Sequence, residues 1–347
     1  MSQKEKASRV EASLDHLKLK LKEKLNLFDT VIIYPFLGYS NSIRSVISGR
    51  ILEQEAEVHT SGNNGSTIWA NIKKVFKRYE SDEIPFVQLS ATLAGKKVNA
   101  YANEEGYFEF EFYHQPGELS NGWHKVAIEI ESIPYDVECI SYAEGEILVC
   151  DQSADFGVIS DVDDTIIQSF ATNPVKKLYT LLTQNSESRT PFEGVEELYH
   201  LLVNKNKNPL FFVSGSSFNL YDLLIKFCKH HNIPKAPFLL RNLGLENDKW
   251  FKQNTDKYKK SYVEEIFQMY PELEFILIGD SGQKDPEIYT SLCEKYPNQV
   301  KAIYIRHVRD EARLKEISAM GQKVSADFLV MNHSFDAIQH LKNKALV

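Results

Sequence analysis

Short, uninterrupted apolar runs that alternate with helical patterns in the second half of the chain constrain its fold more than any other feature. Six such runs follow Asp155, at Phe156–Ile159, Leu210–Val213, Phe238–Leu240, Phe275–Ile278, Ala302–Ile305 and Phe328–Met331. Helices are predicted near residues 194–204, 217–231, 258–269, 285–296 and 335–344. Strands that are apolar on both faces are typical of a parallel sheet covered by helices on each side. Residues 151–347 are therefore predicted to form an α/β domain with a Rossmann-like parallel sheet.

Residues 29–150 show instead the alternation of apolar and polar residues that is typical of half-buried strands. This alternation is clearest over residues 108–112 and 126–130. Further strands are predicted at Val31–Tyr34, Ser45–Leu52, Phe86–Leu93, Lys97–Tyr101 and Ile147–Val149, and one helix near Ile68–Tyr79. Several antiparallel strands with one buried face favour a β-sandwich-like domain over residues 29–150.

The first 28 residues are predicted to form an amphipathic helix. Apolar side chains recur at spacings of three or four, at Val10, Leu14, Leu17, Leu21 and Leu25. Basic residues outnumber acidic ones by 7 to 4 in this segment. A basic amphipathic helix is compatible with peripheral contact to an anionic membrane. It is equally compatible with packing on the protein itself or with pairing to a partner helix.

Charge and cysteine usage narrow the class of protein. The net charge is −8 and no part of the chain resembles a basic domain, which argues against nucleic acid as a partner. The four cysteines show no CxxC spacing, which indicates reduced thiols. No apolar run approaches the ~20 residues of a membrane span, and the charged N-terminus lacks an apolar signal core. We therefore expect a cytoplasmic protein, with peripheral membrane contact as an alternative location.

The first candidate motif is an apolar strand that runs directly into a cluster of acids. Asp161, Asp163 and Asp164 follow Phe156–Ile159 after a single serine, and Thr165 comes next. Ligand sites of open parallel sheets form at the carboxyl ends of the strands, so these acids lie where the chemistry is expected. Crowded carboxylates repel one another, and a cluster at a strand end is typical of a cation site.

A second apolar strand ends in the same way. Phe275–Ile278 runs into a Gly-Asp pair that ends at Asp280, and Asp285 stands five residues further on. If the two strands are neighbours in the sheet, Asp280 and Asp285 lie beside Asp161 and Asp163. Such an oxygen-rich group of hard ligands suits Mg²⁺.

Two further features suit a phosphate group. The strand Leu210–Val213 ends in Ser214 and Gly215 just before a helix, and small residues at a helix N-terminus present N–H groups and hydroxyls to phosphate. A cation is also required to balance the phosphoryl charge. The helix before the Asp280 strand offers three lysines near its start: Lys257, Lys259 and Lys260.

These four elements, in this order, resemble the four motifs of the haloacid-dehalogenase superfamily. The segments that carry the similarity are Ser160–Ile166, Ser214–Ser216 with Asn219–Tyr221, and Leu277–Tyr289. They look like the catalytic domain of the actin-patch-protein family of phosphatidate phosphatases, over roughly residues 155–310. Weaker similarity extends to Gly38–Asn41 and Gly49–Leu52.

The chain departs from the family pattern at the third motif. The family usually shows a histidine before the lysine, whereas this chain has Tyr258 before Lys259. Spacing back from the Tyr270-Pro271 pair favours Lys259, and Lys260 stays open as the alternative.

The resemblance implies a phosphohydrolase with Mg²⁺ as its cofactor and an aspartyl-phosphate intermediate. Asp161 would be the nucleophile, Asp163 the general acid and base, and Lys259 the third catalytic residue. Thr165, Ser214 and Gly215 would bind the substrate phosphate. The metal ligands would be Asp161, Asp280, Asp163 through its backbone carbonyl, and Asp285 either directly or as an orienting acid.

The segment between the first and second motifs is predicted to form a small, mostly helical cap, which leaves the site open to a large or membrane-borne substrate. The resemblance implies a phospholipid substrate of the phosphatidate type. Hydrolysis of a phosphorylated small molecule or phosphoprotein is the alternative within enzymes. A membrane- or protein-binding scaffold with a vestigial site is the alternative outside them. Arg241 and Arg306 follow apolar strands and would either meet an anionic substrate or form surface salt bridges.

Overall fold

The computed structural model describes residues 29–54, 84–150, 153–163, 165–166, 192–204, 207–241, 255–308 and 311–347. Three predicted elements lie outside these residues: the N-terminal helix over 1–28, the helix near Ile68–Tyr79 and the small cap between the first two motifs. The described part of the chain forms two sheets, one in a β-rich region and one in an α/β region.

The β-rich region forms, within the described residues, one nine-stranded sheet. Its strands are Thr30–Pro35 (β1), Gly38–Ser40 (β2), Arg44–Gln54 (β3), Gln88–Leu93 (β4), Lys96–Tyr101 (β5), Tyr107–Tyr113 (β6), Gly122–Ser132 (β7), Cys139–Ile140 (β8) and Tyr142–Val149 (β9). The strand order is β5-β4-β7-β9-β2-β3-β1-β8, and β6 also pairs with β3. The predicted antiparallel pairing holds for most neighbours, but β1 pairs with β8 and β2 with β9 in parallel.

The alternation in the β-rich region has the expected physical basis. Phe108, Phe110 and Phe112 of β6 are buried, whereas Glu109 between them is exposed. These rings belong to an apolar core that also includes Ile128 and Ile147 from β7 and β9. Because apolar and polar side chains alternate along these strands, the apolar face of the sheet is buried in a core.

The α/β region contains, as far as the chain is described, a six-stranded sheet in which every pairing is parallel. Its strands are Gly157–Ser160 (β10), Leu210–Ser217 (β11), Phe238–Arg241 (β12), Phe275–Asp280 (β13), Val300–Arg306 (β14) and Asp327–Met331 (β15). The order is β12-β11-β10-β13-β14-β15. The predicted parallel sheet is confirmed, with the first-motif strand β10 at its centre.

Helices cover both faces of this sheet. They are Val195–Val203 (α1), Tyr221–His230 (α2), Thr255–Met269 (α3), Asp285–Lys295 (α4), Glu311–Gly321 (α5) and Ser334–Asn343 (α6). One apolar core joins α1, α2 and α6 to one face, and a second core joins α3, α4 and α5 to the other. Adjacent residues of β10 point to opposite cores, since Val158 lies in the first and Ile159 in the second. None of the described helices has both the length and the apolar character that crossing a membrane requires.

Two differences from the predicted helices have simple causes. Helix α5 was not predicted, because Ile317 is its one buried residue and a single apolar position gives no periodic signal. The helix expected from residue 217 begins at Tyr221, because β11 continues to Ser217 and a 3₁₀ turn occupies Phe218–Leu220.

The β-rich region packs directly on α2 and α3 of the α/β region. Phe36 stacks on Phe218 with ring centroids 4.5 Å apart, and the Leu37 N–H donates to the Tyr221 hydroxyl at 2.7 Å. The Tyr39 hydroxyl donates to Glu265 of α3 at 2.6 Å, and the Asn41 side chain donates to the Met269 carbonyl at 2.7 Å. The β-rich region thus holds the end of the helix whose beginning carries Lys259.

Candidate active site

Strand order alone brings the acidic motifs to one edge of the parallel sheet. Strand β10 lies between β11 and β13, and its Ser160 is level with Ile278. The N–H of Asp161 continues this pairing by donating to the Ile278 carbonyl at 2.8 Å. Successive strands lie on opposite sides of β10, so its carboxyl end is a switch point of the kind where open α/β sheets bind ligands.

Three carboxylates converge at this point. Asp161, Asp280 and Asp285 each contribute one oxygen to a group whose members all lie within 4.8 Å of one another. All three residues are fully buried. Two strands and the start of α4 therefore deliver their acids to a single place.

Lys259 lies inside this carboxylate group. Its Nζ is 2.9 Å from Asp161 Oδ1 and donates a hydrogen bond to Asp285 Oδ1. The two neighbouring lysines have different surroundings. Lys260 donates a hydrogen bond to the Ser291 hydroxyl at 2.7 Å, and Lys257 is exposed. Of the three lysines that the sequence offered, the structure brings Lys259 to the acids.

The loop after β13 fixes Asp280. The N–H groups of Gly282 and Gln283 donate to Asp280 Oδ1 at 2.5 and 3.0 Å, and the Asp280 N–H donates to Asp285 Oδ2 at 3.1 Å. Asp280 Oδ2 has no hydrogen-bond partner among the described residues. Gly279 is required for this packing, because a Cβ there would lie 2.4 Å from Asp285 Oδ2.

Burial and mutual repulsion disfavour the charged form of these acids. Burial raises the pKa of Asp161 well above its ordinary value; Lys259 opposes the shift, and the charges of Asp285, Asp280 and Asp163 add to it. Burial, followed by the charge of Asp285, raises the pKa of Asp280 to about 7. Burial alone would lower the pKa of Lys259, but the charges of Asp161 and Asp285 raise it above its ordinary value. Three carboxylates thus face one ammonium group.

This donor set fits a divalent cation. The ligand atoms are carboxylate oxygens, which hard cations prefer. Buried charges require pairing, and the single ammonium group leaves the carboxylates with excess negative charge. The unpartnered Oδ2 of buried Asp280 is a free acceptor in this group.

Asp163 faces a different set of partners. Its Oδ2 accepts hydrogen bonds from the hydroxyls of Ser214 at 3.1 Å and Ser216 at 3.2 Å. The Ser214 hydroxyl in turn accepts the Ser216 N–H at 3.0 Å, and Gly215 lies between the two serines. The Asp163 carboxylate is therefore outside the group of three. Its backbone carbonyl, the atom predicted to face the metal, is 3.4 Å from Gln283 Nε2.

Thr165, four residues after Asp161, has a side chain without a hydrogen-bond partner among the described residues. The residue is buried, and its Oγ1 has no hydrogen-bond partner among the described residues. Its backbone carbonyl accepts a hydrogen bond from Arg306 Nε at 3.0 Å. The threonine is thus held through its backbone, while its hydroxyl remains available.

Two residues at the site, Ser216 and Gln283, were not predicted as part of it. Ser216 and Gln283 each lie two residues from a predicted site residue, Ser214 and Asp285. That short spacing is the sequence feature that could have identified them as part of the site. Gln283 Nε2 is 3.4 Å from Asp161 Oδ2. The surface salt bridge considered for Arg306 is wrong, because its side chain is buried and hydrogen-bonds Thr165.

Comparison with known proteins agrees with these motifs. Residues 156–307 match the family described as phosphatidate phosphatase APP1, catalytic domain. The phosphatidate phosphatase APP1 of Saccharomyces cerevisiae is 30% identical over 151 residues, which are 43% of this chain and 25% of that protein. An uncharacterised protein of Schizosaccharomyces pombe is 28% identical over 244 residues, which are 66% of this chain and 39% of that protein. The resemblance predicted from the motifs is confirmed.

The similarities cover part of each relative's length. The chain spans between 25% and 39% of the length of these two relatives. The chain also aligns with a crystal structure of phosphoserine phosphatase in apo form, with 14% sequence identity and a TM-score of 0.33. The alignment covers 53% of this chain and 98% of the phosphoserine phosphatase chain.

Proposed function

With residues 156–307 matching the catalytic domain of a phosphatase family, we propose that this chain hydrolyses phosphomonoesters with Mg²⁺ through a phosphorylated Asp161. One observation carries the proposal: Asp161, Asp280 and Asp285 offer oxygens within 4.8 Å of one another, and Lys259 lies among them. A buried nucleophile, a cation site and a fixed ammonium group are the parts that phosphoryl transfer requires.

Asp161 and Asp280 would hold Mg²⁺ in this proposal, with waters completing the coordination shell. The bound ion would supply positive charge that offsets repulsion between the carboxylates and the approaching phosphate. Asp285 has an orienting role instead, because its two oxygens already accept from Lys259 Nζ and from the Asp280 N–H.

The chemistry then divides between Asp161 and Asp163. In the first step, an oxygen of Asp161 forms a bond to phosphorus while the bond to the leaving oxygen breaks, and Asp163 gives that oxygen a proton. In the second step, Asp163 takes a proton from water, and the water oxygen displaces Asp161 from phosphorus. Inorganic phosphate leaves, and both aspartates return to their starting states.

In this proposal two side chains, Lys259 and Thr165, would hold the phosphoryl oxygens, and two serines would orient Asp163. Lys259 keeps its positive charge because Asp161 and Asp285 raise its pKa. Thr165 offers an unpartnered hydroxyl. Ser214 and Ser216 orient the Asp163 carboxylate by donating to its Oδ2, which fixes the acid in the position that proton transfer needs.

Mg²⁺ is expected to raise the melting temperature of the chain, and more at pH 8 than at pH 5.5. Asp280 has a folded-state pKa of about 7, above its unfolded value, so its contribution to stability is present at low pH and is lost as pH rises through 7. Magnesium relieves that loss. At 100-fold above its dissociation constant it adds about 2.7 kcal/mol, which raises the Tm of a chain of 347 residues by about 4 °C.

Differential scanning calorimetry with and without Mg²⁺ measures this shift. Asp280→Asn is expected to abolish it. Asp327→Asn, which removes a half-buried partner of Lys344 at the start of β15, is the matched control and should keep it. An equal Mg²⁺ shift in the Asp280 variant would show that the ion binds elsewhere.

We propose a phospholipid of the phosphatidate type as the substrate, with peripheral contact to the membrane that carries it. The matched family and the yeast relative are both described as phosphatidate phosphatases. Two exposed apolar side chains, Val308 and Phe335, lie at the carboxyl edge of the parallel sheet. Val308 is close to the acids, since its N–H donates to the hydroxyl of Ser281, the neighbour of Asp280.

Phosphate release from phosphatidate vesicles and from a soluble aryl phosphate distinguishes the lipid from other substrates. Val308→Ser with Phe335→Ser is expected to lower activity on vesicles several-fold and to leave activity on the aryl phosphate unchanged. Ile140→Ser, at an exposed apolar position in β8 of the β-rich region, is the matched control. A wild-type chain with no preference for vesicles would exclude the lipid and favour a soluble phosphomonoester.

A further inference from the structure

Arg306 is a buried cation that the proposed mechanism leaves unused. It ends β14, directly beside Asp280 in the parallel sheet, and only 1% of the residue is exposed. No carboxylate forms an ion pair with it among the described residues, and its Nη1 has no hydrogen-bond partner there. Burying a positive charge without a negatively charged partner is costly. The presence of Arg306 at this position therefore indicates a role beyond packing.

The contacts of Arg306 join two of the catalytic loops. Its backbone carbonyl accepts the N–H of Ser281, the residue after Asp280, at 2.9 Å. Its Nε donates to the Thr165 carbonyl at 3.0 Å. One residue therefore connects the loop that follows β13 to the loop that follows β10.

The rest of the guanidinium group is fixed from two sides. Its Nη2 donates to the Ser334 hydroxyl at 2.8 Å, at the start of α6. The ring of Phe192 lies 4.0 Å from its Cζ, a distance typical of a cation–π contact. Arginine donates in fixed, coplanar directions, which lets it reach Thr165 and Ser334 at the same time.

We infer that Arg306 is a positioning residue, which acts through the backbone of Thr165 to aim the threonine hydroxyl at the phosphoryl group. The inference rests on the proposed phosphatase function. The Thr165 hydroxyl has no hydrogen-bond partner of its own within the described chain, so its direction depends on where the backbone is held. Arg306 is the described side chain that hydrogen-bonds that backbone carbonyl.

Lysine in place of Arg306 tests the role of the guanidinium. Arg306→Lys keeps the charge but replaces the planar guanidinium with a single ammonium nitrogen, so the directed contact from Nε to the Thr165 carbonyl is lost. We expect kcat on an aryl phosphate to fall 10- to 100-fold with KM within twofold. Ser334→Ala removes the second partner but leaves the link to Thr165, and it should keep kcat within twofold. If Arg306→Lys folds poorly, as judged by its Tm, Arg306→Met takes its place, because it removes the donor to the Thr165 carbonyl with a long unbranched side chain, and the same loss of kcat is expected.

A double-mutant cycle separates positioning from a purely structural role. If Arg306 acts through Thr165, the kcat loss from Arg306→Lys should shrink to less than twofold when Thr165 is already alanine. An undiminished loss in that background, or wild-type kcat for Arg306→Lys, would overturn the inference. A wild-type chain that releases no phosphate would instead reject the proposed function itself.

Discussion

Asparagine at position 161 is expected to lower phosphate release by about 10⁴-fold or more, the largest loss we expect from any single change. The amide has nearly the same shape as the carboxylate but cannot attack phosphorus. Asp161 is fully buried beside Asp280 and Asp285, and burial and their charges raise its pKa. Removing its charge relieves repulsion between the carboxylates, and Lys259 keeps Asp285 as its partner, so the Tm of the metal-free chain should not fall by more than a few degrees.

Asp155→Asn is the matched control for this variant. Asp155 lies just before β10, whereas Asp161 lies just after it, and its exposed side chain pairs with Lys207 at 2.7 Å. The control should retain the kcat of the wild type in a magnesium-dependent assay with an aryl phosphate. Activity of Asp161→Asn within tenfold of the wild type would mean that another residue is the nucleophile.

Methionine at position 259 is expected to lower both activity and stability. The loss of a fixed cation at the phosphoryl group should lower kcat by about 10²–10³-fold. Removing the cation of a buried ion pair costs about 3–5 kcal/mol, because Asp161 and Asp285 lose the positive charge that pairs with them. The folded-state pKa of Lys259 is raised, so its contribution to stability is fully present at pH 7 and is lost only above its unfolded pKa.

Lys260→Met provides the comparison, since it removes the next lysine of the same helix. The Lys260 side chain donates its hydrogen bond to the Ser291 hydroxyl rather than to Asp161 or Asp285, so the variant should keep the activity of the wild type. Chemical denaturation and steady-state kinetics of the two variants measure both effects. An equal loss for the two variants, or none for Lys259→Met, would contradict the role given to Lys259.

The parallel sheet and its acidic edge could be predicted because the signals are local and repeated. Runs such as Phe275–Ile278 are apolar on both faces, and a parallel sheet buries both faces. An acid at the end of such a strand must then lie at the ligand-binding edge. Residues Asp161, Asp280 and Asp285 meet there because β10 and β13 are neighbours in the sheet.

Other features depend on contacts between distant parts of the chain, which a local pattern does not encode. Lys259 and Lys260 are adjacent in sequence, and the direction in which α3 packs decides which one meets Asp161. The burial of Arg306 depends on Phe192 and Ser334, which come from two other segments. The parallel pairing of β1 with β8 likewise rests on tertiary structure.

A crystal structure of the chain with Mg²⁺ and beryllium trifluoride, a mimic of a phosphoryl group on an aspartate, tests the central claim most directly. The expected result is a beryllium atom bonded to an Asp161 oxygen, with one cation bound by Asp161 and Asp280. Lys259 should lie beside the fluorine atoms. A trifluoride on another residue, or a cation bound without Asp161 and Asp280, would contradict the assignment of this site as a phosphohydrolase centre.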